Sequence, residues 1–152
     1  MEERFMRRAM ELALECEEEW EVPVGAVIVR AGEIVGEGRN RRETAKSALA
    51  HAEIEAIGDA CARLGGWRLQ ECEMFVTLEP CPMCTGAIIN ARLKKVTFGA
   101  YDKKAGSCGS VINLFDLPYN HKPELVAGFM QPECARQLTE FFARLREKKR
   151  RK

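Results

Sequence analysis

Two short segments of this 152-residue chain carry side chains that could work together: His51-Ala52-Glu53, and Pro80-Cys81-Pro82-Met83-Cys84, whose first cysteine falls 28 residues after Glu53. One imidazole and two thiolates are borderline-to-soft donors, a set that suits zinc. Three protein ligands leave the fourth tetrahedral position open, as in a catalytic zinc site. His51, Cys81 and Cys84 are therefore the expected ligands of one zinc per chain. Glu53 reads as an acid–base group beside the metal. Two residues apart on a regular helix point about 200° apart, so His51 and Glu53 converge only where a helix begins and the backbone is freer. A helix start also suits the cysteines, because its free amides and dipole lower a thiol pKa. Pro82 fits the first helical turn, which needs no amide from it.

Each segment alone has a plainer reading. A single C-x-x-C fits a redox pair or half of a structural zinc site, and a lone H-x-E is weak. His121 and five further cysteines, at 16, 61, 72, 108 and 134, leave room for a fourth ligand, but there is no second C-x-x-C and no H-x-x-x-H. Both segments lie where a strand or loop enters a helix. That coincidence favours catalysis.

The elements that must hold them can be read from periodicity. Phe5, Met6, Ala9, Leu12, Ala13 and Cys16 recur at helical spacing, and Glu21-Val22-Pro23 is expected to end that helix. Residues 24–29 form a short apolar run that reads as a buried strand. Ala31-Gly32-Glu33 reads as a turn into a second strand, 34–39. A polar loop follows from Asn40 to about Ser47. A helix is expected over 51–64, stopped by Gly65-Gly66. Then come a strand at 73–78, a helix at 82–91, a strand at 95–99 and a Gly/Lys/Ser loop at 102–110. A last amphipathic helix spans 133–149, with a basic tail over 148–152. Alternating helices and apolar strands imply one α/β domain over 1–152, with a sheet between helical layers.

With 46% hydrophobic and 31% charged residues, the chain can build a core and is not largely disordered. No signal-like stretch or membrane-length apolar run occurs, so a cytoplasmic location and no membrane partner are expected. The net charge of +1 predicts no partner by itself. Its distribution says more: residues 1–76 hold ten Lys/Arg against 16 Asp/Glu, and residues 77–152 hold 14 against seven. Such asymmetry fits either a basic face for a polyanion or a pair of oppositely charged solvated helices.

The order H-x-E…P-C-x-x-C is the signature of zinc deaminases. Beyond it, the chain resembles the bacterial tRNA-specific adenosine deaminases over nearly its whole length. The resemblance is carried by Glu21-Val22-Pro23-Val24-Gly25-Ala26, Ala50-His51-Ala52-Glu53, the run from Thr77 to Cys84 and Phe98-Gly99-Ala100-Tyr101-Asp102, with Asn120-His121 and Phe141-Phe142. It implies a three-layer α/β/α cytidine deaminase-like fold with a five-stranded mixed sheet, and a homodimer. It implies conversion of adenosine to inosine at the first anticodon position of a tRNA, an arginine tRNA. Zinc would activate a water and Glu53 would shuttle its proton. By position, Asn40 would hold the purine, and amides near Ala52 would steady the developing charge. Asp102, Asn120 and His121 would contact the anticodon loop. Phe141 and Phe142, with Arg144 beside them, would pack on flanking nucleotides. Asn40 could instead cap its loop, Asp102 could support a turn, His121 could be a core or surface histidine, and neighbouring Phe141 and Phe142 point about 100° apart on a helix, so one of them is expected to face the core. The segment before His51 departs from the family: Ser47-Ala48-Leu49 replaces an Asp-Pro-Thr-like sequence that borders the pocket. Two rival readings remain, a deaminase of free bases and a zinc-stabilised RNA-binding module. The first needs no basic surface, and the second has no use for Glu53.

Overall fold

The computed structural model describes residues 2–151; Lys152, at the end of the basic tail, lies outside them. Strand β1 (Gly25–Arg30) and strand β2 (Glu33–Arg39) pair antiparallel. Ala31 and Gly32 join them with φ of 51° and 78°, the double positive φ of a type I′ hairpin turn. Strand β3 (Cys72–Leu78) pairs antiparallel with β1 and parallel with β4 (Lys95–Ala100), which pairs parallel with β5 (Glu124–Val126). The order is β2-β1-β3-β4-β5, the expected five-stranded mixed sheet.

Strand alternation decides which helices cover which face. Val27 and Val29 of β1 and Phe75 of β3 pack against helix α1 (Glu2–Cys16), through Phe5, Met6, Ala9 and Leu12. Cys134 of helix α4 (Gln131–Arg150) joins that layer. Ala26, Ile28, Met74 and Val76 face the other way. They pack against Ala52, Ala56 and Ala60 of helix α2 (Ala52–Leu64) and Ile88 and Ile89 of helix α3 (Pro82–Ala91). Full burial of side chains such as Ile28, Met74 and Ile88 contributes about 1.5–3 kcal/mol each. Gly65, at φ 74°, closes α2 as expected.

The structure corrects the sequence reading in three places. Helix α1 stops at Cys16, where a 3-10 turn over Glu17–Glu19 takes over and Trp20 leaves it in the left-handed region at φ 58°. The amide of Glu21 then donates to Cys16 O. Strand β5 had no recognisable signal, because three half-exposed residues are too few to display a period. Helix α4 starts at Gln131 and runs to Arg150, so most of the basic tail is helix.

The carboxyl ends of parallel strands β3 and β4 lie at one edge of the sheet, where α2 and α3 begin, the usual place for a site in an α/β sheet. Gly38 of β2 fixes how closely α2 approaches. A Cβ there would stand 2.3 Å from Ala52 O and 2.5 Å from Ala56 N. Among the described residues no helix is long and apolar enough to cross a membrane.

Candidate active site

His51 and Cys81 occupy equivalent positions. Each is the residue immediately before a helix, in extended backbone (φ −82°, ψ 152° and φ −75°, ψ 176°), and neither caps its helix with its side chain. Both side chains are thus free to turn toward a common point. Cys84 reaches it from the first turn of α3. The ligand atoms of His51, Cys81 and Cys84 all lie within 4.8 Å of one another. His51 Nδ1 is 3.6 Å from Cys81 Sγ and 3.5 Å from Cys84 Sγ. Tetrahedral zinc with bonds of about 2.3 Å to sulfur and 2.0–2.1 Å to nitrogen requires an N···S edge of roughly 3.6 Å. The three donors already have that spacing.

The protonation chemistry also fits a cation. Cys81 is lowered to about 5 by the hydrogen bond from Cys84, supported by the amides of Cys84 and Met83 and by His51. Cys84 is raised by the same contact and by burial. Two sulfurs therefore hold one proton between them, and a divalent cation would replace it and carry both as thiolates. Glu53 is 4% exposed, and burial pushes its carboxyl up to about 7. Its own backbone amide and the Cys84 thiol offset part of that rise. The conflict between His51 and Glu53 on a regular helix is resolved because His51 lies outside α2 and Glu53 within its first turn.

These groups open into a cleft of ≈ 230 Å³. His51, Ala52, Glu53 and Cys81 form its floor. Val22, Val24, Asn40 and Arg42 line it on the β1–β2 side, and Leu78, Glu79, Asp102 and Ala105 on the β3–β4 side. Asn40 is 8% exposed and already committed to its loop: Nδ2 donates to Val22 O at 3.1 Å, and Oδ1 accepts from Arg42 N at 3.2 Å. Asp102 supports a turn as well as the cleft, since Oδ1 accepts from the amides of Lys104 and Ala105.

The remaining expected contact residues are not brought to the cleft within the chain. His121 Nε2 donates to Leu93 O, 2.7 Å away, just before β4, and exposed Asn120 precedes it. The length of β4, about 20 Å, separates them from the site. Phe141 is fully buried, packed against Trp20 and Phe142, so it belongs to the core and cannot stack on a nucleotide. Phe142 is 40% exposed. Arg144 is paired with Glu17 and lies over the Trp20 ring. Leu49 of the divergent 47–49 segment is exposed and does not line the cleft. Arg42, Glu79 and Ala105 went unassigned in the sequence. Only Glu79 carried a usable signal, an acidic residue at the end of the apolar run 74–78.

Residues 1–100 match the cytidine and deoxycytidylate deaminase zinc-binding region. The tRNA-specific adenosine deaminase of Bacillus subtilis (strain 168) is 46% identical over 150 residues, 98% of this chain and 93% of the relative. The chain belongs to the tRNA-specific adenosine deaminases. Among solved structures, one from studies of A-to-I editing by tRNA:A34 deaminases at the wobble position of transfer RNA superposes with a TM-score of 0.86 at 39% identity, covering 89% of this chain and 99% of that one. A guanine deaminase from Bacillus subtilis superposes with a TM-score of 0.65 at 36% identity, covering 91% and 92%. The fold is thus shared with a guanine deaminase, and of these two the closer overall fit is to the tRNA deaminase structure.

Proposed function

We propose that this chain hydrolyses adenosine to inosine at the wobble position of a tRNA, an arginine tRNA, with His51, Cys81 and Cys84 holding one zinc and Glu53 moving the protons. The observation that carries this reading is the buried Glu53 carboxyl beside a His–Cys–Cys set of tetrahedral spacing, both at the floor of one cleft. The cleft is smaller than the roughly 300–1,000 Å³ of pockets for drug-sized ligands. It suits a single base splayed from an anticodon loop, which has no duplex to open.

Zinc, when bound here, supplies a Lewis acid that lowers the pKa of water toward about 7. Glu53 would take one proton from the attacking water and give it to ring N1, then carry the second, from the new C6 hydroxyl, to the departing amine. The C6–N bond breaks, a C6–O bond forms and ammonia leaves. Burial raises the Glu53 carboxyl and a nearby cation lowers it, and the balance of the two suits a group that both takes and gives protons. Amides of the first turn of α2, at Ala52 and Glu53, have no partners within the helix and favour developing negative charge. Asn40 and Asp102 edge the base on opposite sides, each held in place by its own loop.

A homodimer in the cytoplasm belongs to the same reading. Its support in the structure is a run of exposed apolar side chains, Val111, Ile112, Leu117 and Tyr119, between β4 and β5. The test of function is incubation of zinc-loaded protein with an arginine-tRNA anticodon stem-loop carrying adenosine at the wobble position. Inosine should form there, with little product from free adenosine or guanine. Equal turnover of free guanine would move the assignment to the free-base enzymes.

A further inference from the structure

Two carboxylates are buried at the cleft edge without belonging to the metal set. Glu79 is 2% exposed and Glu21 is 1% exposed. β1 and β3 run antiparallel with Ala26 opposite Val76. Glu79 directly follows β3 and lines the cleft, and Glu21 stands four residues before β1, ahead of Val22 and Val24, which also line it.

Every side-chain hydrogen bond of Glu79 is with one irregular segment. Oε1 accepts from Asp102 N at 3.1 Å and from Ser110 Oγ at 2.5 Å. Oε2 accepts from Cys108 N at 3.1 Å and from Ser110 N at 3.0 Å. The chain from 102 to 110 wraps this one carboxylate so closely that a Cβ on Gly106 would stand 2.3 Å from Glu79 Cδ. Glu21 does the same for the opposite segment. Oε1 accepts from Glu43 N at 3.2 Å, and Oε2 accepts from Thr44 N at 2.7 Å and Thr44 Oγ1 at 3.0 Å. The two segments supply Asn40 and Arg42 to one wall of the cleft and Asp102 and Ala105 to the other.

We propose that Glu21 and Glu79 are paired positioning residues: each binds the amides of one loop, and together they preset the two walls between which the substrate is held. Neither touches substrate or metal in this role. A carboxylate that gathers several backbone donors makes charge-assisted bonds, stronger than those of a neutral acceptor. Both loops lack regular secondary structure, and these bonds tie them to the sheet in addition to backbone bonds such as Arg41 N to Ala50 O and Ser107 N to Pro80 O. Preset walls lower the ordering cost of binding and leave the chemical step to Glu53 and the metal. The effect therefore falls on KM.

The proposal rests on the functional reading above for its substrate, and its test separates the two. Zinc-loaded full-length wild type, Glu79→Gln and Glu21→Gln are compared by amide hydrogen exchange without substrate. They are then compared by steady-state kinetics on the anticodon stem-loop. Gln turns an NH2 group toward backbone donors while keeping the size of the side chain. Glu79→Gln should speed exchange at Asp102, Cys108 and Ser110 and leave Glu43 and Thr44 as they were; Glu21→Gln should do the reverse. Each should raise KM about tenfold, near the lower end of what a lost bond to a charged group is worth, with kcat within about threefold and one zinc per chain retained. Should either Gln variant fold poorly, Ser110→Ala and Thr44→Val remove one bond each from the outside and should give the same pattern at about two- to threefold. Faster exchange with unchanged KM would make the carboxylates supports of the fold only and overturn the proposal, as would exchange that does not respond loop by loop. A wild-type chain inactive on the stem-loop overturns the functional reading, and exchange then decides the anchoring by itself.

Discussion

Replacing Glu53 by Gln in metal-free protein should make the fold more stable at pH 8 and leave it unchanged near pH 4. The carboxyl is pushed from 4.5 up to about 7, burial being the largest cause. A raised carboxyl pKa means that the fold prefers the neutral form. Its contribution is fully present below pH 4.5, where both folded and unfolded chains are protonated, and is lost as pH climbs to about 7. At 1.36 kcal/mol per pH unit, ionising Glu53 costs the folded state roughly 3 kcal/mol once the pH exceeds about 7. Gln keeps the shape and removes the titration. The gap between variant and wild type should therefore open between pH 4.5 and 7 and level off near 3 kcal/mol, roughly 6–12 °C in Tm for a chain of this size. Urea unfolding of reduced, chelator-treated protein across pH 4–8 measures it. Zinc should shrink the gap, because a nearby cation favours the carboxylate. The same variant should lose turnover by about 10²–10⁴-fold, the scale of removing an acid–base group. A gap that does not change with pH, or a Gln variant less stable at pH 8, would show that the carboxylate is solvated in place and would refute the reasoning.

Cys84→Ala should bind far less than one zinc per chain by metal analysis, whereas Cys108→Ala, buried nearby but outside the donor set, should keep it. Gly38→Ala should lower stability by about 1–3 kcal/mol in urea unfolding, the usual cost of overpacking, because its Cβ meets the backbone of α2 at 2.3 Å. Arg42→Ala should raise KM for the stem-loop and lessen the salt slope of binding by about one. Arg144→Ala should leave both unchanged and cost about 1–3 kcal/mol in urea unfolding, since it leaves the largely covered Glu17 carboxylate without its partner.

The metal set was legible because its chemistry depends on side-chain types at fixed local offsets. His51, Cys81 and Cys84 need only two helix starts, and helix starts announce themselves through Pro82 and the onset of a 3.6-residue period. Long elements were legible for the same reason: α3 spans Pro82–Ala91, the range its pattern gives. What escaped depended on contacts between distant segments. No local period reveals that β5 exists, since a three-residue strand is defined by its neighbour β4. Periodicity shows that Phe141 and Phe142 cannot share a face, but only the packing of Trp20 selects Phe141 for the core. Arg144 looks like a free cation until Glu17, 127 residues earlier, is placed against it.

That last pair changes where a polyanion would be held. The excess of base in the second half of the chain suggested a cationic face on the final helix. Along that helix Arg144 is paired with Glu17, Lys148 lies over Trp20, and Arg150 and Arg151 share Glu147, which leaves Arg136, Arg146 and Lys149 without an ion-pair partner among the described residues. The cations nearest the cleft come instead from its own loops: Arg42 and Lys46 on one side, Lys103 and Lys104 on the other, all exposed. They are carried by the two segments that Glu21 and Glu79 hold by their amides. The same buried carboxylates that shape the walls around a base therefore also set where phosphates on either side of it would meet positive charge. Specificity for a loop of RNA over a free base would then arise at the rim of the cleft, since the floor is built from His51, Ala52, Glu53 and Cys81.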